Sequence, residues 1–384
     1  MMVTLVRKGA GQREVARRFG VGAATVHRWV ARAGEERLSR VDFGTQKRGP
    51  RRPANRTAAP IERRVLDERT RLKTKSVLGE CGARAIREEL TRKKVADVPS
   101  VRTIGRILKR HGAVDGCRRV RYPAPPPGWY LPEVFSGRAE LDSFDIVEGL
   151  SVRGQSFDVF NAISLRGALP ASFPMTAMTA KTILPCIQSH WSEFGLPGYA
   201  QFDNDMRFQG PHNRPGLLGR IIRLCLALHV IAVFAPSREM GFQASIERYN
   251  GQWQTSVWRR FTHTGFAAFV RASDRYVKAR RDRHAQRIER APERAPYPPG
   301  FALDLQHVTP GTIIFIRRTD DEGRVTVLER PYVVDRHWIR RLVRCEVDLA
   351  RHRIDCYALH RRAPENQPLR NRIPCVHPSK PFHE

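Results

Sequence analysis

The stretch Tyr199-Ala200-Gln201-Phe202-Asp203-Asn204-Asp205-Met206-Arg207-Phe208 reads as a short buried strand with an acid at its end. Residues 199–202 form the strand and Asp203 closes it. Further along, Gly241-Phe242-Gln243-Ala244-Ser245-Ile246-Glu247-Arg248-Tyr249-Asn250 reads as the opening of a helix. Phe242, Ile246, Trp253 and Val257 recur at helical spacing, which sets Glu247 beside an apolar stripe. Between the two stretches the pattern predicts a helix over 217–227 and a strand over 230–234. A strand end and a helix can therefore bring Asp203 and Glu247 together although they lie far apart in sequence.

Working back from that stretch, residues 141–147 alternate as a strand and carry two acids, Asp142 and Asp145. Residues 157–165 and 171–175 read as further strands, with 149–155 as a hairpin connection. Residues 179–194 are amphipathic and helical, with Pro185 as a kink or a start. The order β-β-β-α-β-α-β-α predicts a mixed sheet with helices on its faces, its first and fourth strands neighbours. Asp142 and Asp145 fall on opposite faces of their strand or are displaced along it, so one of them belongs with Asp203. Strand geometry favours Asp145, with Asp142 as the alternative.

A chain of 384 residues exceeds one ordinary domain, and about two to four are expected. Lys and Arg number 68 against 38 Asp and Glu, a formal net charge of +30. An excess of that size points to a polyanionic partner, nucleic acid above all, because self-repulsion on that scale costs stability. With the helix-turn-helix motifs below, the partner expected is double-stranded DNA. No apolar run approaches the ~20 residues that span a bilayer, so no membrane partner is expected. The N-terminus lacks the pattern of a signal peptide. The seven cysteines are odd in number and form no C-x-x-C pair, which suggests neither zinc nor a disulfide framework and fits reduced thiols in the cytoplasm.

The flanks divide as follows. Residues 1–40 read as a helix-turn-helix: helix 12–19, a turn at Gly20-Val21-Gly22, and helix 23–32. Val15, Ala16 and Phe19 face inward on the first helix, Val26, Trp29 and Val30 on the second. The second helix would offer Thr25, His27, Arg28 and Arg32 to a major groove. Residues 41–60, with Lys47, Arg48, Arg51 and Arg52, form a basic linker. Residues 61–120 are a second helical DNA-binding candidate. There Ser100 caps a helix with Val101, Ile104, Ile107 and Leu108 inward and Arg102, Thr103 and Arg106 outward. The core region spans 135–290. Residues 291–300, with four prolines, make a linker. Residues 301–363 hold strands at 312–316, 325–328, 332–334, 342–349 and 354–359, which predict a small β-barrel. Its Arg317, Arg318, Arg340, Arg341, Arg344, Arg361 and Arg362 would form a DNA-facing patch. Residues 364–384 read as a flexible tail.

On these residues the segment 139–261 resembles the catalytic core of retroviral-type integrases and the related DDE transposases of insertion sequences. Phe202-Asp203-Asn204-Asp205 with Phe208 resembles the second acidic element of that family, with Asp205 where glycine is usual. Pro236 and the stretch Gly241–Asn250 resemble the third. Asn161 stands where relatives often carry Asp, and the gap between Asp203 and Glu247 is wider than usual. The distance from Asp145 to Ser164 suits the family better than that from Asp142.

The resemblance implies a multidomain α+β protein with an RNase H-like core that cuts and joins DNA strands at element ends. It implies Asp145, Asp203 and Glu247 as catalytic residues holding Mg2+ or Mn2+, two ions in all, and a homo-oligomer on DNA. Two hard cations roughly 3.5–4 Å apart need oxygen ligands, which is why three carboxylates suit phosphodiester displacement. The alternative of another class is an inactive, transposase-derived DNA-binding regulator. A nuclease that cuts without joining would share the site.

Overall fold

The computed structural model describes residues 1–44, 57–114, 126–210, 216–236, 239, 241–375 and 382, and divides into two compact units, Met1–Glu62 and Arg63–Glu384. The basic residues 47–52 of the expected linker lie outside the described residues, as do residues 211–215 in the gap between Asp203 and Glu247.

The first unit holds helices α1 (Met2–Arg7), α2 (Gln12–Phe19) and α3 (Ala23–Ala33). Val15, Ala16 and Val26 form its buried cluster, with Leu5, Phe19 and Val30 packed around them. Helix α2 stops because Gly20 takes a left-handed φ of 62°, and its N–H returns to the carbonyls of Ala16 and Arg17.

In the second unit come most of α4 (Ala59–Lys75), then α5 (Ala83–Arg92) and α6 (Val101–Arg110), around Val65, Leu72, Ile86, Leu90, Ile104, Ile107 and Leu108. Ser100 caps α6 through the Thr103 N–H. Val101, expected inward, is exposed: it is the first residue of the helix, ahead of the packed turn.

A short helix α7 (Pro132–Phe135) leads into the sheet: β1 (Leu141–Val152), β2 (Gln155–Ser164), β3 (Pro170–Met175), α8 (Ala180–Phe194) and β4 (Tyr199–Phe202). Then follow α9 (Met206–Gln209), α10 (Arg220–Ala227), β5 (Ile231–Phe234), α11 (Ala244–Trp253), a single π turn over Gln254–Trp258, and α12 (Phe266–Glu289). The remaining strands are β6 (Thr312–Arg318), β7 (Arg324–Val327), β8 (Arg330–Val333), β9 (Leu342–Asp348), β10 (Arg353–Ala358) and β11 (Leu369–Pro374).

One sheet of nine strands runs β11-β10-β9-β6-β5-β4-β1-β2-β3. As expected, it is mixed, and the first and fourth strands are parallel neighbours. Helices α8 and α10 cover one face, packing on Phe144, Phe160, Phe202 and Phe234. The other face meets α11 and α12 through Val147, Val159 and Ile163.

The separate C-terminal barrel does not form. Strand β6 pairs in parallel with β5 and antiparallel with β9, so the late strands extend the core sheet. The reason lies in the run Thr312-Ile313-Ile314-Phe315-Ile316. Ile313 and Phe315 bury on the α8 side, Ile314 and Ile316 on the other. A strand apolar on both faces belongs in a sheet's interior rather than on a small barrel's half-wet wall. Only β7 and β8 stand apart as a hairpin, and the expected tail contains β11.

The expected patch of arginines on these strands is also largely engaged within the chain. Arg317 donates to Asn204, Arg318 and Arg361 pair with Glu239, Arg340 with Asp321, and Arg344 with Glu346. For Arg317, Arg318 and Arg344 the cause is the same: β6 and β9 are built into the sheet and turn these side chains toward neighbouring elements, whereas Arg340 and Arg361 pair from the connecting loops.

Removal of the late strands therefore strips the sheet rather than a module. A chain ended at residue 305 is expected to lose the cooperative melt of the second unit, seen by circular dichroism, because β5 and Phe234 are left uncovered. A barrel folding independently would leave that melt in place.

Candidate active site

Asp145 sits on β1 and turns toward α11. Its Oδ2 accepts from Asn250 Nδ2 at 2.7 Å, and its Oδ1 accepts from the Ile146 N–H at 2.9 Å. Asn250 in turn accepts from the fully buried Asn161 on β2, Nδ2 to Oδ1 at 2.8 Å. Asn161 Oδ1 is buried with no hydrogen-bond partner. Asp203 follows β4 directly, and its Oδ1 accepts from the Asp205 N–H at 3.1 Å. Glu247 is exposed in the first turn of α11, next to the buried Ile246. The three expected acids thus come from a strand, a strand end and a helix.

Their charges bear on one another. Burial pushes Asp145 up to about 6, helped by the negative charges of Asp203 and Glu247 and opposed by the Ile146 N–H and Asn250. Burial also raises Asp203, and the charges of Asp205 and Glu148 add to it, against the Asp205 N–H and Arg207. Asp205 itself is bound to Arg207, whose guanidinium also reaches Glu148 Oε1 at 2.6 Å. This ion pair and the cap Asp205 gives α9 occupy the position where glycine was the expected residue.

Asp142 lies elsewhere. It is fully buried on the α8 side of the sheet. Arg294 Nη2 donates to Oδ1 at 2.5 Å, Arg294 Nη1 and Trp191 Nε1 donate to Oδ2 at 3.0 and 3.1 Å, and His190 Nε2 stands 3.7 Å away. Burial alone would raise this carboxyl, but Arg294 and the hydrogen bonds outweigh it and hold it well below the usual range. Asp142 is a structural ion-pair partner, and its partner arises from the proline-rich stretch read as a linker.

The donor set is all carboxylate oxygen, which suits a hard divalent cation in kind. Three acids with raised proton affinity in Asp145 and Asp203 also favour a cation that relieves the repulsion. Among the described residues, no three His, Cys, Asp or Glu side chains gather closely enough to hold one ion. The acids share a region, with Asp145 hydrogen-bonded to Asn250.

The residues expected to read DNA are distributed unevenly. Arg28 is exposed on α3, and His27 Nδ1 is 3.3 Å from Gln12 Oε1. Thr25 is half-buried, while Arg32 folds over Trp29 and lies 3.9 Å from Asp42. On α6, Arg102 and Arg106 face solvent, whereas Thr103 engages Ser100. No helix among the described residues is long and apolar enough to cross a membrane.

Sequence reasoning gave Asn250 and Arg294 no role and noted Asn161 only as a departure from the family pattern, without its partner Asn250. Asn250 follows Glu247 by three, so helical spacing places it on the same side of α11. Nothing local marks Arg294.

The two aspartates on β1 are expected to respond in opposite directions. Asp142→Asn leaves Arg294 buried without its charge partner and should cost ~3–5 kcal/mol of stability. Asp145→Asn removes a carboxyl whose ionisation the fold resists. In metal-free buffer that resistance is absent below the ordinary value near 4 and grows as pH rises to about 6. The variant should therefore be more stable than wild type by ~1–3 kcal/mol at pH 7.5 and no more stable near pH 4. Thermal melts across pH decide it, and equal destabilisation of both variants contradicts the assignment.

No protein-family model and no curated protein matches the chain. Among solved structures it is similar to the simian T-cell lymphotropic virus intasome in complex with PP2A regulatory subunit B56 gamma. The identity there is 11% over 69% of this chain and 85% of that chain, at a TM-score of 0.36. It is similar to the HTLV-2 integrase catalytic core domain in complex with magnesium, in its dimeric form, at 12% identity over 35% of this chain and 71% of that one, TM-score 0.24. The BIV integrase catalytic core domain covers 38% of this chain and 97% of its own length at 15% identity, TM-score 0.27.

Proposed function

We propose that this chain is a metal-dependent polynucleotidyl transferase of the insertion-sequence DDE transposase type. It binds the ends of a mobile element and cuts and joins DNA strands in the cytoplasm, as a homo-oligomer. The observation that carries the reading is electrostatic: Asp203 and Glu247, from separate elements, both press on the ionisation of Asp145. The strand order β3-β2-β1-β4-β5, with α11 crossing one face, supports it.

Asp145, Asp203 and Glu247 would hold Mg2+ or Mn2+. Bound there, the cations would activate the attacking oxygen and stabilise the leaving one. Asn250 holds Asp145 Oδ2 in a fixed direction, and Asn161 fixes Asn250. Arg207, held by Asp205 and Glu148, keeps a positive charge beside the acids. Arg28 on α3 and Arg102 and Arg106 on α6 offer exposed guanidiniums to the duplex.

Glu247→Gln tests the reading. Gln keeps the size and much of the helix propensity of Glu, so the fold survives. Cleavage of labelled element-end DNA with Mg2+ or Mn2+ should fall by at least ~10²-fold, while DNA affinity at fixed salt in metal-free buffer holds. A well-folded variant that still cuts removes Glu247 from the site. Wild-type protein that binds element ends yet never cuts with either metal supports the inactive regulator instead.

A further inference from the structure

Beneath the three acids lies a buried polar web. Tyr130 Oη lies 2.8 Å from Gln201 Oε1 and 3.1 Å from the carbonyl oxygen of Phe242. Gln201 Nε2 donates to the same carbonyl at 3.2 Å, and Ser143 Oγ stands 3.4 Å from Gln201 Oε1. All three polar side chains are buried, Gln201 completely.

Their placement mirrors that of the acids. Ser143 precedes Asp145 by two residues on β1, and Gln201 precedes Asp203 by two at the end of β4. Strand side chains alternate, so each shares a face with its acid. Ser143 and Gln201 are direct partners in the β1–β4 register. Phe242 stands just ahead of α11, whose first turn carries Glu247. The web therefore ties together the three backbone segments that bear the acids, one pleat below them. From the other side, the rings of Trp129 and Tyr130 pack on Phe242 at 5.6 and 4.8 Å.

Such a web is costly unless every member is bonded, and when it is, one arrangement is strongly preferred. The Phe242 carbonyl accepts from Gln201 Nε2, and the single Tyr130 proton is shared between Gln201 Oε1, its nearer acceptor, and that carbonyl. Burial raises Tyr130 far above the ordinary range of a phenol, so the proton it donates stays in place.

We propose that Tyr130 and Gln201 are positioning residues that fix where α11 begins, and so set Glu247 against Asp145 and Asp203. The inference rests on reading those acids as the cation-holding site. Tyr130→Phe keeps the ring and removes the donor, and Gln201→Met keeps length and loses both polar atoms. Mn2+ uptake by the full chain without DNA is followed by electron paramagnetic resonance, beside thermal melts and cleavage across a Mn2+ series.

Each variant is expected to take up Mn2+ at least ~10-fold more weakly and to need correspondingly more Mn2+ for half-maximal cleavage, with DNA affinity unchanged. Both act through one carbonyl, so the double variant should cost little more than the worse single one. Wild-type Mn2+ uptake in a variant that merely melts earlier overturns the inference. If Gln201→Met fails to fold, Tyr130→Phe decides alone. Wild-type protein that takes up no Mn2+ overturns the reading of the acids, and the inference falls with it.

Discussion

Six phenylalanines, one from each of six adjacent strands, form a ladder across the sheet on which the rest of the second unit depends. In spatial order they are Phe173, Phe160, Phe144, Phe202, Phe234 and Phe315, with ring centroids 6.2, 5.4, 5.1, 6.1 and 5.0 Å apart. Such pairs add ~0.5–1.5 kcal/mol each beyond the area they bury. Slipping any strand by one residue would turn its ring to the wrong face. The ladder also orients the acids. Phe144 points toward α8, so Asp145 must point toward α11 and Asp142 must share the ring's buried side. Phe202 does the same for Asp203. The opposite placement of the two aspartates of β1 is a consequence of hydrophobic packing.

The charge of the chain is divided in a similar way. Many arginines act as internal ties rather than as a basic surface. Arg260 donates to the carbonyls of Leu72, Lys73 and Ser76 at the C-terminal end of α4, and Arg283 reaches Glu80 and Glu88. Both arginines thereby join the α4–α6 helices to the sheet domain. A guanidinium suits this use because its planar fork meets several carbonyls or carboxylates at once and never loses its charge. A net charge of +30 thus overstates what is free to meet phosphate.

Much of this was legible in the sequence wherever a local period recorded burial. The bounds of α2, the start of α3, the cap at Ser100 and the presence of the strands through β5 follow from spacing and turn residues, but the connection expected over 149–155 is mostly strand, since β1 runs on to Val152 past a bulge and β2 begins at Gln155. The placement of Asp145 and Asp142 on opposite faces follows from alternation along β1. The neighbours of the late strands did not follow. A strand's pattern states which faces are covered but not which strand lies beside it, and only the doubly apolar run at 313–316 hinted at an interior place. Single polar partners such as Arg294, Asn161, Gln201 and Tyr130 have no period at all. Their meaning depends on contacts between residues far apart in the chain, such as Tyr130 with Phe242.

Strand β6 lies inside the sheet yet comes after more than three hundred residues of chain. During synthesis, β4 and β5 emerge long before the strand that must cover them. Until it leaves the ribosome, the open edge of β5 offers unpaired amides and the face of Phe234 to any nearby strand. The protein is thus committed to finishing its fold late, and slow translation between α12 and β6 prolongs the time it is vulnerable to chaperone capture or self-association.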